Sequence, residues 1–296
     1  NFFCVNKLTG QIIWSMFGNS PIRNSAVITN NKRLFVTSQS GTIYGVDLNN
    51  LIISGGVVTP NWTINSGDTI TSSPAIDQNG YFYVGTKSGK LKKIQMTIGQ
   101  PGTVVWETVL GGSINASPII GTNGNIYVGS TNGKFYAVKD SGTVKWEFTT
   151  TGQINTTAAI SNYSRIYFGN ANGDFYCIDT NKILKWYYKD SSAIGNCVIA
   201  SKGTIYYGTS AGRLTAFYDY VETDNMTLTS VNVWPTYQSD NQRTGSRGYN
   251  TTKIQNLSEI IPDRFELHQN FPNPFNPSTS IRFGIVKQTN AKIMIY

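Results

Sequence analysis

Five tryptophans recur along the chain at near-constant intervals: Trp14, Trp62, Trp106, Trp146 and Trp186, with gaps of 48, 44, 40 and 40 residues. A period near 40 marks one supersecondary unit copied along a chain, each copy unable to bury its apolar face without a neighbour. Aligned on Trp146 and Trp186, the copies agree segment by segment: residues 114–120 match 154–160, 125–129 match 165–169, and 131–138 match 171–178. Earlier copies place Ser73-Pro74, Phe82-Tyr83-Val84-Gly85 and Gly89 in the same slots, and a later copy places Ile205-Tyr206-Tyr207-Gly208 and Gly212 there.

Each unit holds four runs rich in Ile, Val, Tyr, Phe and Thr, punctuated by Gly and Asn, which is strand chemistry bounded by turn chemistry. The Asn-Gly pairs at 132–133 and 172–173 suit a tight hairpin, because Gly accepts positive φ without a Cβ clash. No stretch sustains a 3.6-residue period, so helices are expected to be nearly absent. Four strands per forty residues, repeated, predict an all-β chain of four-stranded β-propeller blades. The tryptophan falls in the last strand of each unit, where a large flat ring fills the gap between blades.

Two stretches carry a resemblance to a known family. Val138-Lys139-Asp140-Ser141-Gly142-Thr143-Val144-Lys145-Trp146 and Val5-Asn6-Lys7-Leu8-Thr9-Gly10-Gln11-Ile12-Ile13-Trp14 are similar to the pyrroloquinoline-quinone (PQQ)-like repeat of the outer-membrane-assembly-lipoprotein kind, with its Ala-x-Asp-x-x-Thr-Gly-x-x-x-Trp hairpin. The similarity runs over about residues 1–240. It implies a fragment of a seven- or eight-bladed propeller, entered at Asn1 inside a third strand and therefore N-terminally truncated, with the propeller placed at 1–245.

A second resemblance lies beyond the repeats. Trp234-Pro235, ending at Thr244-Gly245, is similar to a segment that flanks such propellers and closes the last blade. Residues 246–264 are polar and aperiodic and read as a linker. Then Gln269-Asn270-Phe271-Pro272-Asn273-Pro274-Phe275-Asn276-Pro277 resembles the opening of a type A C-terminal sorting domain of the type IX secretion system, a small β-sandwich. Three prolines in six residues fix an extended course there. The alternation Ile281, Phe283, Ile285 predicts a strand, and residues 291–296 begin another. On this reading 265–296 is a truncated sorting domain. It implies export by the type IX machinery to the medium or outer surface of a Gram-negative, Bacteroidota-like bacterium.

Composition narrows the chemistry. Charged residues are 14% of the chain and the net charge of +8 is spread thinly, 17 Lys and Arg against 13 Asp and Glu over residues 1–240 and 7 against 3 beyond. Lys87, Lys90, Lys92 and Lys93 form the one basic cluster; flanking a hairpin, they read as a solvated edge that discourages strand pairing, and no nucleic acid is expected. Cys4, Cys177 and Cys197 read as small buried fillers, without metal spacing. No run of 18 apolar residues predicts a membrane span.

The single histidine, His268, lies in the sorting segment. The repeats thus lack the usual base of Ser-His-Asp or Cys-His systems and the commonest transition-metal ligand. Asn6, Asp47, Asp140 and Asp179 end third strands, where they are expected to accept turn amides. Asp68, Asp77 and Asp174 are isolated by pattern. No catalytic, metal or cofactor-binding residue is assigned. PQQ and calcium belong only to the alternative of a quinoprotein oxidoreductase, and a cross-blade carboxylate pair only to that of a polysaccharide-degrading enzyme.

The candidate surface is the axial mouth, where first strands begin: Arg23, Asn24, Thr71, Ser72, Asn115, Asn155, Thr156 and Asn196. The expected role is non-enzymatic binding or scaffolding of a protein or glycan at the cell envelope.

Overall fold

The computed structural model describes residues 1–29, 31–96, 102–161, 163–200 and 204–219, and the strand segments 266–267, 271–276, 278–280 and 283–284. Two compact units divide the chain, Asn1–Gly248 and Tyr249–Tyr296. No described residue is helical.

The chain opens on a hairpin, β1 (Phe2–Val5) and β2 (Ile12–Met16). Three strands follow, β3 (Val27–Ile28), β4 (Arg33–Thr37) and β5 (Thr42–Asp47), then a small hairpin of β6 (Ile53–Ser54) and β7 (Val57–Val58), then β8 (Trp62–Asn65). Next come β9 (Ala75–Ile76), β10 (Phe82–Gly85), β11 (Lys90–Gln95) and β12 (Thr103–Val109). The following repeat is β13 (Ile119–Ile120), β14 (Ile126–Gly129), β15 (Lys134–Val138) and β16 (Val144–Thr149). After it come β17 (Ala159–Ile160), β18 (Arg165–Gly169), β19 (Asp174–Asp179) and β20 (Leu184–Lys189), and then β21 (Ile194–Ile199), β22 (Thr204–Thr209) and β23 (Leu214–Tyr218).

These strands pair as the repeat demands. Four antiparallel sheets run β3-β4-β5-β8, β9-β10-β11-β12, β13-β14-β15-β16 and β17-β18-β19-β20, and β21-β22-β23 forms a three-stranded sheet. Every tryptophan of the series sits in the fourth strand of its unit, and β1–β2 occupy third and fourth positions. The fold is a β-propeller; the sheets are numbered 1 to 6 from the N-terminus.

Sequence spacing alone did not reveal one insertion. Between the third and fourth strands of blade 2, the β6–β7 hairpin leaves its own sheet and pairs with blade 1: Ser15 stands parallel to Val57, and Ser15 N donates to Gly56 O at 2.9 Å. The sheet order becomes β1-β2-β7-β6. The 48-residue gap between Trp14 and Trp62 is this detour.

Glycine positions follow from close approach. At each hairpin between second and third strands a Gly takes positive φ, +81° at Gly133 and +88° at Gly173. Its N–H bonds the residue three back, Gly133 N to Ser130 O at 3.1 Å. The loop is thus three residues, with the positive φ on its last, rather than a two-residue Asn-Gly turn. At the end of the second strand the constraint is steric. A Cβ on Gly85, Gly129 or Gly169 would lie 2.2 Å from Cγ2 of Ile114, Ile154 or Ile194, the residue leading into the next blade.

In the second unit, β24 (Glu266–Leu267) pairs with β27 (Phe283–Gly284), and β25 (Phe271–Asn276) with β26 (Ser278–Ser280). The Pro272–Asn276 stretch is therefore extended, as its prolines require. Trp234–Gly245, the 246–264 linker, Gln269, Asn270, Pro277, Ile281, Ile285 and 291–296 lie outside the described residues.

Candidate functional site

The joints between blades are where chemistry concentrates. Three fourth-strand indoles reach the corner after the next blade's third strand: Trp106 Nε1 donates to Asp140 O at 2.8 Å, Trp146 Nε1 to Thr180 O at 3.0 Å, and Trp186 Nε1 to the Asp219 carboxylate at 3.2 Å, whereas Trp62 Nε1 is buried without a partner among the described residues. A Cβ on Gly142 would meet the Trp106 ring at 2.9 Å, so the turn glycine leaves room for the indole.

Two joints carry an ionic clasp. Between blades 3 and 4, Asp140 accepts from Tyr83 Oη at 2.6 Å and pairs with Lys93 Nζ at 2.5 Å. Lys93 also lies 4.2 Å over the Tyr81 ring. Between blades 5 and 6, Asp219 accepts from Tyr167 Oη at 3.1 Å and from Arg165 Nη1 at 2.5 Å. Burial pushes the Tyr83 phenol well above its ordinary range, and the Asp140 bond adds to that. For Asp140, burial acts to raise the pKa, but the bonds from Lys93 and Tyr83 outweigh it and hold the carboxyl below the usual range.

These contacts correct two expectations. Lys92 and Lys93 are not a solvated edge: both are buried, at 3% and 5% exposure, on a strand paired on both sides. Lys92 Nζ donates to Ser66 O at 2.6 Å and pairs with Glu107 at 3.0 Å. Nor does Asp140 serve as a turn acceptor. Asn6, Asp47 and Asp179 do, taking the amides of Leu8, Asn49 and Asn181 at 2.9 Å each, whereas Asp140, one position further on, reaches back to blade 3. The signal for Lys93 was its slot, which holds Gly45, Ala137 and Cys177 elsewhere.

The carboxylates isolated by pattern also have partners. Asp68 takes the Ser88 hydroxyl. Asp174 takes Thr151, Asn170 Nδ2 at 2.9 Å and Lys189 Nζ at 2.9 Å. Burial works to raise its pKa, but these bonds bring it down to about 2. Asp77 and Asp140 do converge across blades, on Tyr83 Oη at 3.1 and 2.6 Å. Both are already engaged, Asp77 by the amides of Asn79 and Tyr81 at 2.9 Å and Asp140 by Lys93. Cys177 and Cys197 are buried, and the Cys177 thiol is pushed up to about 12, first by burial.

The described residues do not fit a quinone–calcium set: no three His, Cys, Asp or Glu side chains among them converge, and Cys4, Cys177 and Cys197 form no disulfide with one another. The indoles of Trp106, Trp146 and Trp186 are committed to blade joints.

The inner strands form a relay. Ser25 N donates to Ser73 Oγ at 3.0 Å, Ser73 N to Ser117 Oγ at 3.0 Å, Ser117 N to Thr157 Oγ1 at 3.1 Å, and Thr157 N to Asn196 Oδ1 at 2.7 Å. At the last link Cys197 stands in the hydroxyl slot and Asn196 supplies the oxygen instead.

The predicted mouth residues divide accordingly. Ser72 is buried and accepts Gly85 N at 2.7 Å. Thr71 and Thr156 aim their hydroxyls at the carbonyls of Ile114 and Gly169, at 2.7 and 3.0 Å. Asn24, half-buried, bonds Thr37 Oγ1 at 3.1 Å. Arg23, Asn115, Asn155 and Asn196 are exposed, and Asn115 Nδ2 donates to Asn155 Oδ1 at 3.0 Å.

Sheets, joints and relay together define a β-propeller of tryptophan-bearing repeats. Residues 54–167 match the family described as outer membrane protein assembly factor BamB. BamB from Moraxella catarrhalis has a similar crystal structure, at 20% identity and a TM-score of 0.53, with 69% of this chain and 59% of that one covered. A structure of BBS1N in complex with ARL6DN is also similar, at 16% identity and a TM-score of 0.50, covering 67% of this chain and 65% of that one. The chain thus spans under two thirds of either, and at such identities the likeness is one of fold. No curated protein matches.

Proposed function

We propose that this propeller is a non-enzymatic scaffold that binds a protein at the cell envelope through the mouth of its inner strands. The observation that carries the reading is the exposed set Arg23, Asn115, Asn155 and Asn196, held by a relay that fixes the strands beneath them. Rigid backing with small amides and one cation at the surface suits recognition of a polar main chain better than turnover. The match to an assembly factor of the outer membrane supports an envelope setting. A glycan at the same mouth is an outcome of the test.

The experiment is capture of envelope proteins on the purified chain, repeated with Arg23→Ala and with the Asn155→Ala, Asn196→Ala pair. Binding that both variants weaken supports the reading; binding indifferent to both refutes the mouth as the site. Tight stoichiometric uptake of PQQ with calcium, or hydrolysis of a polysaccharide, would favour the enzymatic alternatives. Export is a separate part of the proposal. The Pro-Asn-Pro-Phe-Asn-Pro segment, 272–277, supports passage by the type IX machinery, with 1–245, 246–264 and 265–296 as propeller, linker and sorting segment. Residues 265–296 attached to a passenger should release it from a type IX-competent cell, and Asn273→Ala with Phe275→Ala should retain it.

A further inference from the structure

We propose that Asn79 is a modification site, an asparagine that closes on the Gly80 amide and converts to aspartate and isoaspartate ahead of the chain's other Asn-Gly pairs. Four such pairs occur in the sequence, at 79–80, 123–124, 132–133 and 172–173. Glycine carries no side chain to shield its amide nitrogen, which leaves these pairs the most open to cyclisation. All four asparagines are exposed. All four glycines take positive φ, and their N–H groups are tied alike to the carbonyl three residues back, at 3.0 to 3.3 Å. The difference lies in the side-chain amides.

Asn132 Nδ2 donates to Leu110 O at 3.0 Å, and its Oδ1 accepts from Lys134 N at 3.0 Å. Asn172 Nδ2 donates to Thr151 O at 2.8 Å. Asn123 holds Asn79's slot in the next blade: its Oδ1 accepts Asn125 N at 3.1 Å, and its Nδ2 donates to Tyr127 Oη at 2.8 Å. In blade 3 Asp77 performs both tasks, its Oδ1 accepting Tyr81 N at 2.9 Å and its Oδ2 the Tyr83 hydroxyl at 3.1 Å. The corresponding residue of blade 4 is Gly121, where a Cβ would lie 3.0 Å from Asn123 Oδ1. A side chain at that position and a bound asparagine two residues on therefore exclude each other. Asp77 displaces the Asn79 side chain, and among the described residues the Asn79 carboxamide has no partner. It swings freely onto the Gly80 nitrogen, whereas the three bound amides must first give up their bonds. The Gly80 nitrogen bonds to Asn79 Cγ and gives up its proton; the Cγ–Nδ2 bond breaks and ammonia carries that proton away. Water then opens the cyclic imide. Cleavage between the nitrogen and Cγ leaves aspartate, and cleavage between the nitrogen and the main-chain carbonyl carbon leaves isoaspartate. The turn that receives the new carboxylate carries Tyr81, whose ring lies under Lys93 of the blade 3–4 clasp.

The test holds the purified chain at mildly alkaline pH and physiological temperature and follows the four Asn-Gly peptides by mass spectrometry, with isoaspartate read by enzymatic carboxyl methylation. The same chain in urea supplies the rate of each pair without structure. Relative to that reference, Asn79 should convert on the order of tenfold faster than Asn123, the penalty for giving up one to two hydrogen bonds. Asp77→Gly should hand Asn79 the bonds of Asn123 and slow it toward that rate, and Gly121→Asp should free Asn123 and speed it. The wild-type comparison needs no variant and stands even if either substitution fails to fold. Equal native rates at Asn79 and Asn123, or any of the three bound asparagines converting first, overturn the proposal. So does a folded Asp77→Gly chain in which Asn79 converts as fast as before.

Discussion

Removing the Asp140 carboxylate by Asp140→Asn should cost more than removing the lysine it pairs with. The ammonium of Lys93 is 7% exposed and its carboxylate partner 62% exposed. Stripping one member from a fully buried pair costs about 3–5 kcal/mol, because the remaining charge is left uncompensated. Solvent reaches Asp140, so that figure must be discounted for screening. Lys93 also keeps the Tyr81 face at 4.2 Å, and such a cation–aromatic contact is worth about 0.5–2 kcal/mol. The expected loss is about 1–2 kcal/mol, or about 2–8 °C in Tm for a unit of this size.

Lys93→Met removes the buried charge, keeps the apolar stem and leaves Asp140 free to hydrate, so it should cost under about 1.5 kcal/mol. The double variant should be no worse than Lys93→Met, giving a coupling of about 1 kcal/mol. Scanning calorimetry at pH 7 reads the three melts, and Trp106, bonded to the Asp140 carbonyl, reports the joint by fluorescence. Because the folded carboxyl titrates below its ordinary range, its contribution is complete above the unfolded value near pH 4 and fades as pH falls through the lowered one. The gap between wild type and Asp140→Asn should therefore close only in acid. Equal losses from the two single variants, or simple additivity in the double, would refute the reasoning.

Gly169→Ala places a methyl 2.2 Å from Ile194 Cγ2 and should cost about 1–3 kcal/mol by overpacking, measured by urea melts; a neutral result would show that the blade 5–6 joint yields. Trp146→Phe removes the bond to Thr180 O and should lose about 1–2 kcal/mol, whereas Trp14→Phe, with an indole from which no outgoing bond is described, should lose less on the same assay. Asp174, brought down to about 2 by its partners against the opposing effect of burial, stabilises the fold above the unfolded value and loses that contribution as pH falls toward 2. Asp174→Asn should therefore flatten the dependence of Tm on pH between about 4 and 2.

The repeat, the strand count and the place of each tryptophan were legible because they depend on period alone. What lies across a joint was not. Lys93 looks like any exposed lysine until its slot is compared with Ala137 and Cys177, and only Asp140, 47 residues away, explains how a cation fits there. Asp140 is hidden for the same reason: it sits one residue past Asp179's slot, and that single step turns its carboxylate from its own turn to the neighbouring blade. The β6–β7 hairpin left a trace in the long first gap, but nothing in its composition says that it pairs with blade 1. At the mouth, spacing gathered the eight polar residues without separating those that stitch blades together from those that face water.

The hydroxyl relay bears on how such a gene can change length. Each link needs one backbone N–H and one side-chain oxygen, and the Ser73, Ser117 and Thr157 positions each supply both, donating one way and accepting the other. An unequal crossover that inserts or deletes a single 40-residue copy leaves every remaining donor beside an acceptor, with no compensating substitution. Point changes are less free: replacing a relay hydroxyl by alanine strands a neighbour's amide, and Asn196 beside Cys197 shows the local repair. A change in copy number therefore leaves the relay intact, whereas the loss of a single relay hydroxyl breaks it.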